Sequence, residues 1–230
     1  MAEDWLEAAA TIYNRDSFEQ RERYATHLLI PMEVLRTVMR WSMEAIPDEV
    51  LIGLDYDSEK PNPESVEGFF GPAKTVFAGY GFLLGEPHIV NVGDSFSVHH
   101  VPEEWTDRVF SEERGARGSR FASFLHSHPN AYAHPSRADA EAAQWTEGVE
   151  MILGIRFSPA PMGLEWFDEE DGHRRDLRPD SEEDLPILTR VAGRSIHAFE
   201  LIGYTRNGAG VNLLITTEDG EPIGIEIPEQ

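Results

Sequence analysis

Two stretches near the start of the chain carry apolar side chains at helical spacing. In residues 1–24 these side chains recur every three or four positions, which places them on one face of a helix. The second stretch begins at Pro31, a residue suited to the first turn of a helix, and it continues to Ala45. The apolar positions are Trp5, Leu6, Ala9, Ile12 and Tyr13 in the first stretch, and Val34, Leu35, Val38, Met39, Trp41 and Ala45 in the second. We predict a helix in each.

The first predicted helix forms an N-terminal helical extension over residues 1–24. We expect its apolar face to pack against the rest of the protein, with a homodimer contact or another partner as the alternative. Residues 25–30 have the length of a short strand. Residues 49–54 follow the second helix as a continuous apolar run, which is typical of a strand buried on both faces.

Short apolar segments bounded by turn residues predict the remaining elements. We expect strands at residues 75–84, 88–92, 95–101, 121–128 and 151–157, helices at 103–113 and from Asp139 to about Gly148, a hairpin of residues 162–167 and 173–178 through Asp171-Gly172, and final strands around Asn207-Gly208 and Asp219-Gly220. Helices alternating with strands predict an α/β protein, in which a curved mixed sheet is flanked by helices.

Two polar segments interrupt this pattern and are predicted to be insertions in one domain that spans residues 25–230. Residues 55–72 are rich in acidic residues, proline and serine and resemble a loop. Residues 103–118 end in a glycine-rich break before the strand at 121–128. Arg114, Arg117 and Arg120 are either part of a solvated loop or a contact for an acidic partner.

The formal net charge of −23 changes the picture of possible partners. So acidic a surface repels nucleic acid and anionic membranes, and we expect neither as a partner. Either the protein is adapted to high salt, which screens the repulsion between its own charges, or it binds a basic partner. Because the charge is spread along the chain, we favour adaptation to high salt. The N-terminus lacks the pattern of a signal peptide and no apolar run is long enough to span a membrane, so we expect a cytoplasmic protein.

The residues best suited to chemistry lie at the end of the strand predicted at 121–128. Alternation along a strand places His126 and His128 on one face. Asp139 follows in the first turn of the next predicted helix. Two imidazoles and one carboxylate are ligands that Zn²⁺ takes, and a catalytic zinc keeps a further position open. With no cysteine in the chain, a zinc site must use such ligands, and we predict one zinc per chain at this strand end and helix N-terminus.

A structural interpretation of the same residues is available. Ser136 followed three positions later by Asp139 is also a helix N-cap signal, because the two side chains satisfy unpaired N–H groups of the first turn. The two interpretations are partly compatible. His134 lies between His128 and Ser136, and we expect it either on the surface or in contact with the metal ligands without binding the metal. Asn130 and Tyr132 either line a substrate groove or form a simple turn.

Three sequence segments together resemble the JAMM (MPN-plus) zinc metalloprotease family, in its archaeal-type deubiquitinase-like or desampylase-like form. These are HSHP at residues 126–129, SxxD at 136–139 and PDEVLIG at 47–53, and the resemblance covers roughly residues 30–167. It implies an MPN/JAB, cytidine-deaminase-like fold. It also implies His126, His128 and Asp139 as zinc ligands, Glu49 as general acid/base, and Ser136 as a hydrogen-bond donor to the oxyanion.

The resemblance further implies hydrolysis of an amide bond after the C-terminal Gly-Gly of a ubiquitin-like modifier, so the expected partner is such a modifier or its conjugates. One alternative within the same chemistry is a peptidase that processes the C-terminus of a sulfur-carrier protein. A different alternative is a non-catalytic scaffold with this fold, which the intact ligand set and Glu49 disfavour. Ser127 is expected to orient neighbouring backbone and not to act as a nucleophile.

Overall fold

The computed structural model describes residues 4–61, 82–93, 121–158, 166–168, 173–175, 186–191 and 193–226. Within them the chain forms a mixed α/β fold, in which a curled, open, mixed sheet is flanked by helices. No helix in this part of the chain has the length and apolar character needed to cross a membrane.

Three α-helices and twelve strands make up the described part of the chain. The helices are α1 (Asp4–Gln20), α2 (Met32–Ala45) and α3 (Arg137–Ala142), with 3-10 turns at Arg21–Arg23 and Ala143–Trp145. The strands are β1 (His27–Pro31), β2 (Val50–Leu54), β3 (Tyr56–Pro61), β4 (Phe82–Leu84), β5 (His88–Val92), β6 (Ser123–Pro129), β7 (Val149–Ser158), β8 (Trp166–Asp168), β9 (His173–Arg175), β10 (Thr189–Val191), β11 (Arg194–Thr205) and β12 (Gly210–Thr216).

The main sheet has the strand order β1-β12-β11-β7-β6-β2-β5, and β10 pairs with β11 off this path. β6 lies near its centre, parallel to β7 and antiparallel to β2. β7 in turn pairs with β11 over a long antiparallel ladder. The β6 strand, which carries both histidines of the sequence motif, is therefore held by a neighbour on each side.

Most of the predicted elements that fall in the described residues are confirmed within a few positions. These are α1, α2, β1, β2, β5, β6 and β7. β8 and β9 pair as the predicted hairpin, whose turn at Asp171-Gly172 lies outside the described residues. Asn207-Gly208 joins β11 to β12, with a φ of 74° at Gly208. After Asp219-Gly220 the chain makes a single bridge, between Thr216 and Pro222, instead of a further strand.

Two further predictions were wrong in their local detail. Residues 55–72 do not all form a loop, because residues 56–61 form β3, which pairs with β4 in a separate small sheet. This pairing overrides the low strand propensity of the acidic sequence, and the two leucines of β4 are buried. The helix predicted to reach Gly148 ends earlier, because Thr146 is already extended (φ −89°, ψ 126°) as the chain turns into β7.

Several predicted segments lie outside the described residues. They are the strand at 95–101, the segment at 103–118 with Arg114 and Arg117, Arg120 just after it, residues 62–72 of the first insertion, and the start of the strand at 75–84.

The main sheet buries a different set of side chains on each face. Alternate residues of β2, β6 and β7, such as Ile52, Leu125 and Leu153, pack with α1 and α2 in the principal core. The intervening residues point to the opposite face, where Ile152 and Tyr204 pack with two alanines beside α3. This second face also carries His126, because His126 lies directly opposite Ile152.

Helix α1 is hydrogen-bonded into a gap in the main sheet. In the described residues, β11 and β12 pair with each other only beside their turn, at Gly203↔Val211 and Tyr204↔Gly210. Beyond that point the Asn14 amide donates to the Ile215 carbonyl at 2.7 Å and accepts from the Ile215 N–H at 2.7 Å. The same amide donates to the Ile223 carbonyl at 2.8 Å. A fully buried side chain of α1 thus substitutes for a neighbouring strand.

We predict that Asn14→Ala destabilises the protein by about 3 kcal/mol, because the buried Ile215 N–H loses its acceptor and the Ile223 carbonyl loses the amide donor. The Ile215 carbonyl keeps the Ile223 N–H at 3.0 Å. Asn14→Asp should be at least as destabilising, since a carboxylate faces two carbonyl oxygens. Urea unfolding followed by circular dichroism measures both. Glu19→Ala, at an exposed position of α1, is the control and should change the unfolding free energy by less than about 0.5 kcal/mol. A loss below about 1 kcal/mol for Asn14→Ala would contradict the role assigned to this amide.

Candidate metal centre

The two histidines of β6 lie side by side on the second face of the main sheet. Both imidazoles are buried, and their Nε2 atoms are 3.0 Å apart. Their alternation with Ser127 along the strand, predicted from the sequence, is confirmed by the pairing of β6 with β7, in which His126 and His128 oppose Ile152 and Gly154.

Asp139 approaches the same point from the start of α3. Its Oδ1 lies 3.2 Å from the Nε2 of His126, and its Oδ2 lies 3.5 Å from the Nε2 of His128. The N-cap interpretation is also confirmed, since the Asp139 N–H donates to the Ser136 Oγ at 3.1 Å and the Ser136 N–H donates to Asp139 Oδ2 at 2.7 Å. The cap fixes the carboxylate beside the histidines, so the capping role is compatible with Asp139 as a metal ligand.

The spacing of these three side chains fits a metal ion. Their candidate ligand atoms all lie within 4.8 Å of one another. Two ligands at zinc's usual bond length in a tetrahedral arrangement are separated by about 3.3 Å. The two Nε2 atoms are 3.0 Å apart, and each lies 3.2 or 3.5 Å from a different oxygen of Asp139. The group formed by His126, His128 and Asp139 could therefore bind a divalent cation with little rearrangement.

The loop after β6 fixes the ring of His128. Its Nδ1 lies 3.1 Å from the Tyr132 carbonyl, which only accepts, so this nitrogen carries the hydrogen. Neutral His128 then presents the lone pair of Nε2 to the centre of the group. The loop comes this close because residue 154 is glycine: a Cβ there would lie 2.6 Å from the Ala131 oxygen and 2.7 Å from the Ala133 nitrogen. Gly154 is a supporting residue that the sequence motifs did not indicate.

The electrostatics of the site are those of a buried acid between two bases. Burial alone raises the pKa of Asp139, but hydrogen bonds and charge interactions with His126 and His128 outweigh it and hold that pKa well below its usual range. For His128, burial acts to lower the pKa, and the hydrogen bond to Asp139 followed by the charges of Glu49 and Asp139 raises it above its usual value. The carboxylate is thus ionised at neutral pH, as a metal ligand requires.

Glu49 lies beside the histidines on the neighbouring strand. Leu51 of β2 is opposite His126 of β6. Since side chains of an antiparallel pair repeat every two residues, Glu49 is level with His128 and on the same face. The Glu49 side chain is buried, and its charge acts on His128. The structure therefore brings this acid to the group of three candidate ligands.

The backbone around Glu49 is held from both sides. Its carbonyl accepts a hydrogen bond from the Gly93 N–H at 2.9 Å. The next N–H, that of Val50, donates to the Ser127 hydroxyl at 3.1 Å. The serine between the two histidines thus orients the backbone that carries Glu49, in keeping with the expectation that Ser127 bonds neighbouring backbone.

The other residues singled out in the motif region have simpler positions. His134 is exposed and is not part of the group of candidate ligands in the described residues. Asn130 is buried with a φ of 55°, and its side chain accepts from the Phe157 N–H at 2.8 Å, so it forms the turn after β6. The Tyr132 ring is about half exposed and stacks against Arg156.

The comparisons with known proteins leave the family of the chain open. No protein-family model and no curated protein matches it significantly. Among solved structures, the chain is similar to the solution structure of protein DSY2949 from Desulfitobacterium hafniense. The likeness spans 83% of this chain and 94% of that one, at 12% identity and a TM-score of 0.32. So loose a superposition transfers neither fold nor function, and the geometry of the site stands on its own.

We predict that the purified protein binds one divalent zinc ion per chain and that its affinity falls on acidification. Binding must displace the proton of His128, whose raised pKa keeps it protonated to a higher pH than a free imidazole. Below that pKa the dissociation constant should rise about tenfold per pH unit for each proton displaced. Competition with a chromophoric chelator across the pH range measures this.

Asp139→Asn serves as the paired variant for that titration. It should bind zinc more weakly at every pH, and it should shift the acid limb to lower pH because the charge that raises the pKa of His128 is removed. A protein with intact residues that takes up no zinc, or an affinity independent of pH, would rule out this site.

Gly154→Ala should weaken zinc binding by about tenfold, because the added methyl group pushes the 131–133 loop off the sheet and releases the ring of His128. Gly203→Ala is the matched control, since its Cβ would meet the Leu213 side chain at 2.9 Å, away from that loop. The control should lose stability in thermal unfolding and keep its zinc affinity. Equal zinc affinities for Gly154→Ala and the wild type would show that the loop does not set the geometry of His128.

Proposed function

We propose that the protein is a JAMM-type zinc peptidase with an MPN/JAB fold. The observation that carries the proposal is a cluster of two histidines and one aspartate, whose candidate ligand atoms lie within 4.8 Å of one another, with a buried glutamate beside them. His126, His128 and Asp139 hold the zinc. The sequence resemblance, in which the same residues occupy the motif positions, supports the same assignment.

The residues around the metal suit hydrolysis of an amide. Zinc supplies a Lewis acid here and lowers the pKa of water toward about 7. Glu49 accepts the proton of the attacking water and delivers it to the departing amine, a role typically contributing about 10²–10⁴-fold. Its burial and its fixed backbone hold it in one position while the proton moves.

Ser136 is proposed to donate a hydrogen bond to the oxyanion. Its Oγ already accepts from the Asp139 N–H, and a serine hydroxyl can accept and donate at the same time. The hydroxyl hydrogen therefore remains available for substrate. One such donor is worth about 10²–10³ in rate.

The proposed substrate is a ubiquitin-like modifier joined through its C-terminal Gly-Gly to an amine. This step comes from the family resemblance. Processing of a sulfur-carrier C-terminus uses the same chemistry and stays the second candidate. The scaffold alternative is disfavoured, because a non-catalytic relative has no need for a complete set of metal ligands with an acid beside them.

We predict that Glu49→Gln lowers hydrolysis by at least about 100-fold while zinc stays bound, because the amide cannot take up the proton. The assay uses zinc-loaded protein with two substrates, an isopeptide conjugate and a linear fusion of a Gly-Gly-ended modifier, and metal content is measured in parallel. Preference between the two substrates separates conjugate removal from precursor processing.

The exposed Glu86→Gln variant is the control for loss of one negative charge and should keep full activity. Cleavage by Glu49→Gln at the wild-type rate would show that another group is the general base. Wild-type protein that binds zinc and cleaves neither substrate would favour the scaffold.

A further inference from the structure

A buried carboxylate and a buried phenol lie together beneath helix α3, and the proposed mechanism uses neither. Glu150 of β7 is fully buried, and the Thr146 hydroxyl hydrogen-bonds to its Oε1. Tyr204 of β11 is directly opposite Glu150 in the antiparallel ladder. Side chains opposed in this way have Cβ atoms about 4.5–5.5 Å apart and point to the same face.

The hydroxyl of Tyr204 is enclosed by protein and has no hydrogen-bond partner among the described residues. Tyr204 is 7% exposed. A buried hydroxyl without a hydrogen bond costs about 1–3 kcal/mol. Such a group calls for an explanation, and a partner supplied in another state of the protein is one.

The position of Tyr204 points to Asp139 as that partner. Its ring packs with Ala133 and Ala143, which flank the helix that carries Asp139. Ala143 lies one helical turn after Asp139, on the same side. Tyr204 and Ala140 also line one cavity of about 810 Å³. Burial, then the charges of Glu150 and Asp139, raises the pKa of Tyr204, in keeping with a phenol close to both acids.

A metal-bound state can supply this partner. In this structure the carboxylate oxygens of Asp139 are taken up by the Ser136 N–H and by the two histidines. Both histidines would bind a metal ion through Nε2 lone pairs, and neither ring could then donate from this atom to Asp139. One position on the Asp139 carboxylate would then lack a hydrogen-bond donor. The Tyr204 hydroxyl, in turn, lacks an acceptor among the described residues.

We propose that Tyr204 is a positioning residue for the metal centre, whose hydroxyl donates to the Asp139 carboxylate when metal is bound. This inference rests on the metal-binding part of the proposed function and not on hydrolysis. Partners of this kind hold a ligand in its binding orientation, and their removal typically weakens metal affinity by about 10–100-fold.

Tyr204→Phe tests the inference, because it removes one oxygen and keeps the packing of the ring. Zinc affinity is measured by chelator competition, and the thermal stability of the metal-free protein is measured separately. We expect zinc to bind about 10–100-fold more weakly. The metal-free variant should be as stable as the wild type or more so, because the lost hydroxyl had no partner.

Tyr13→Phe is the matched control, since its hydroxyl donates to the Leu201 carbonyl of the same strand at 2.9 Å, away from the metal ligands. It should lower the stability of the metal-free protein and leave zinc affinity within about twofold of the wild type, as expected for a structural hydrogen bond. In the metal-free protein, Tyr13→Phe should lower the stability and Tyr204→Phe should not. This difference separates a positioning role from a structural one.

Three outcomes overturn the inference. If Tyr204→Phe binds zinc as tightly as the wild type, the role proposed for Tyr204 is wrong and the proposed function is unaffected. If the wild type binds no zinc, both the role of Tyr204 and the proposed function are wrong. If Glu150→Gln abolishes the effect of Tyr204→Phe on affinity, the phenol donates to Glu150 and the assignment to Asp139 is wrong.

Discussion

The pairing of β6 with a strand on each side is the constraint on which the candidate site depends. Its antiparallel register with β2 sets Glu49 level with His128, and its parallel register with β7 sets His126 opposite Ile152. The side-chain period of a strand is two residues, so a slip of one position would turn both imidazoles into the principal core. The chemistry proposed here is therefore a consequence of strand register, and hydrogen bonds of the backbone specify the positions of the side chains.

The sequence was sufficient for those parts of the site whose geometry is local. The alternation of His126 and His128 follows from strand periodicity, and the place of Asp139 follows from a capping signal. The supporting residues were not predictable in the same way. Gly154 matters because a loop from another part of the chain crosses it, and Tyr204 matters because β11 pairs with β7. The strand β3 was missed because its partner β4, and not its own composition, decides its conformation.

The charge of the site differs from the charge of the whole chain. Although the protein carries a formal net charge of −23, the candidate metal ligands include only one carboxylate, since the other two are histidines that bind as neutral rings. A divalent cation with these three ligands would carry one net positive charge, before the neighbouring Glu49 carboxylate is counted, and a Lewis acid polarises a carbonyl through such a charge. The negative charge of the whole protein attracts cations over a longer range, and salt screens this attraction.

The helix that fills the gap between β11 and β12 has a consequence for how the molecule is made. The Asn14 amide bonds to Ile215, a partner 201 positions later in the chain. During synthesis the first helix emerges long before the strand edge that it will cover, and the motif histidines emerge between them. The scaffold around the centre can close only after residue 215 has been made, and contacts of such large sequence separation make assembly comparatively slow.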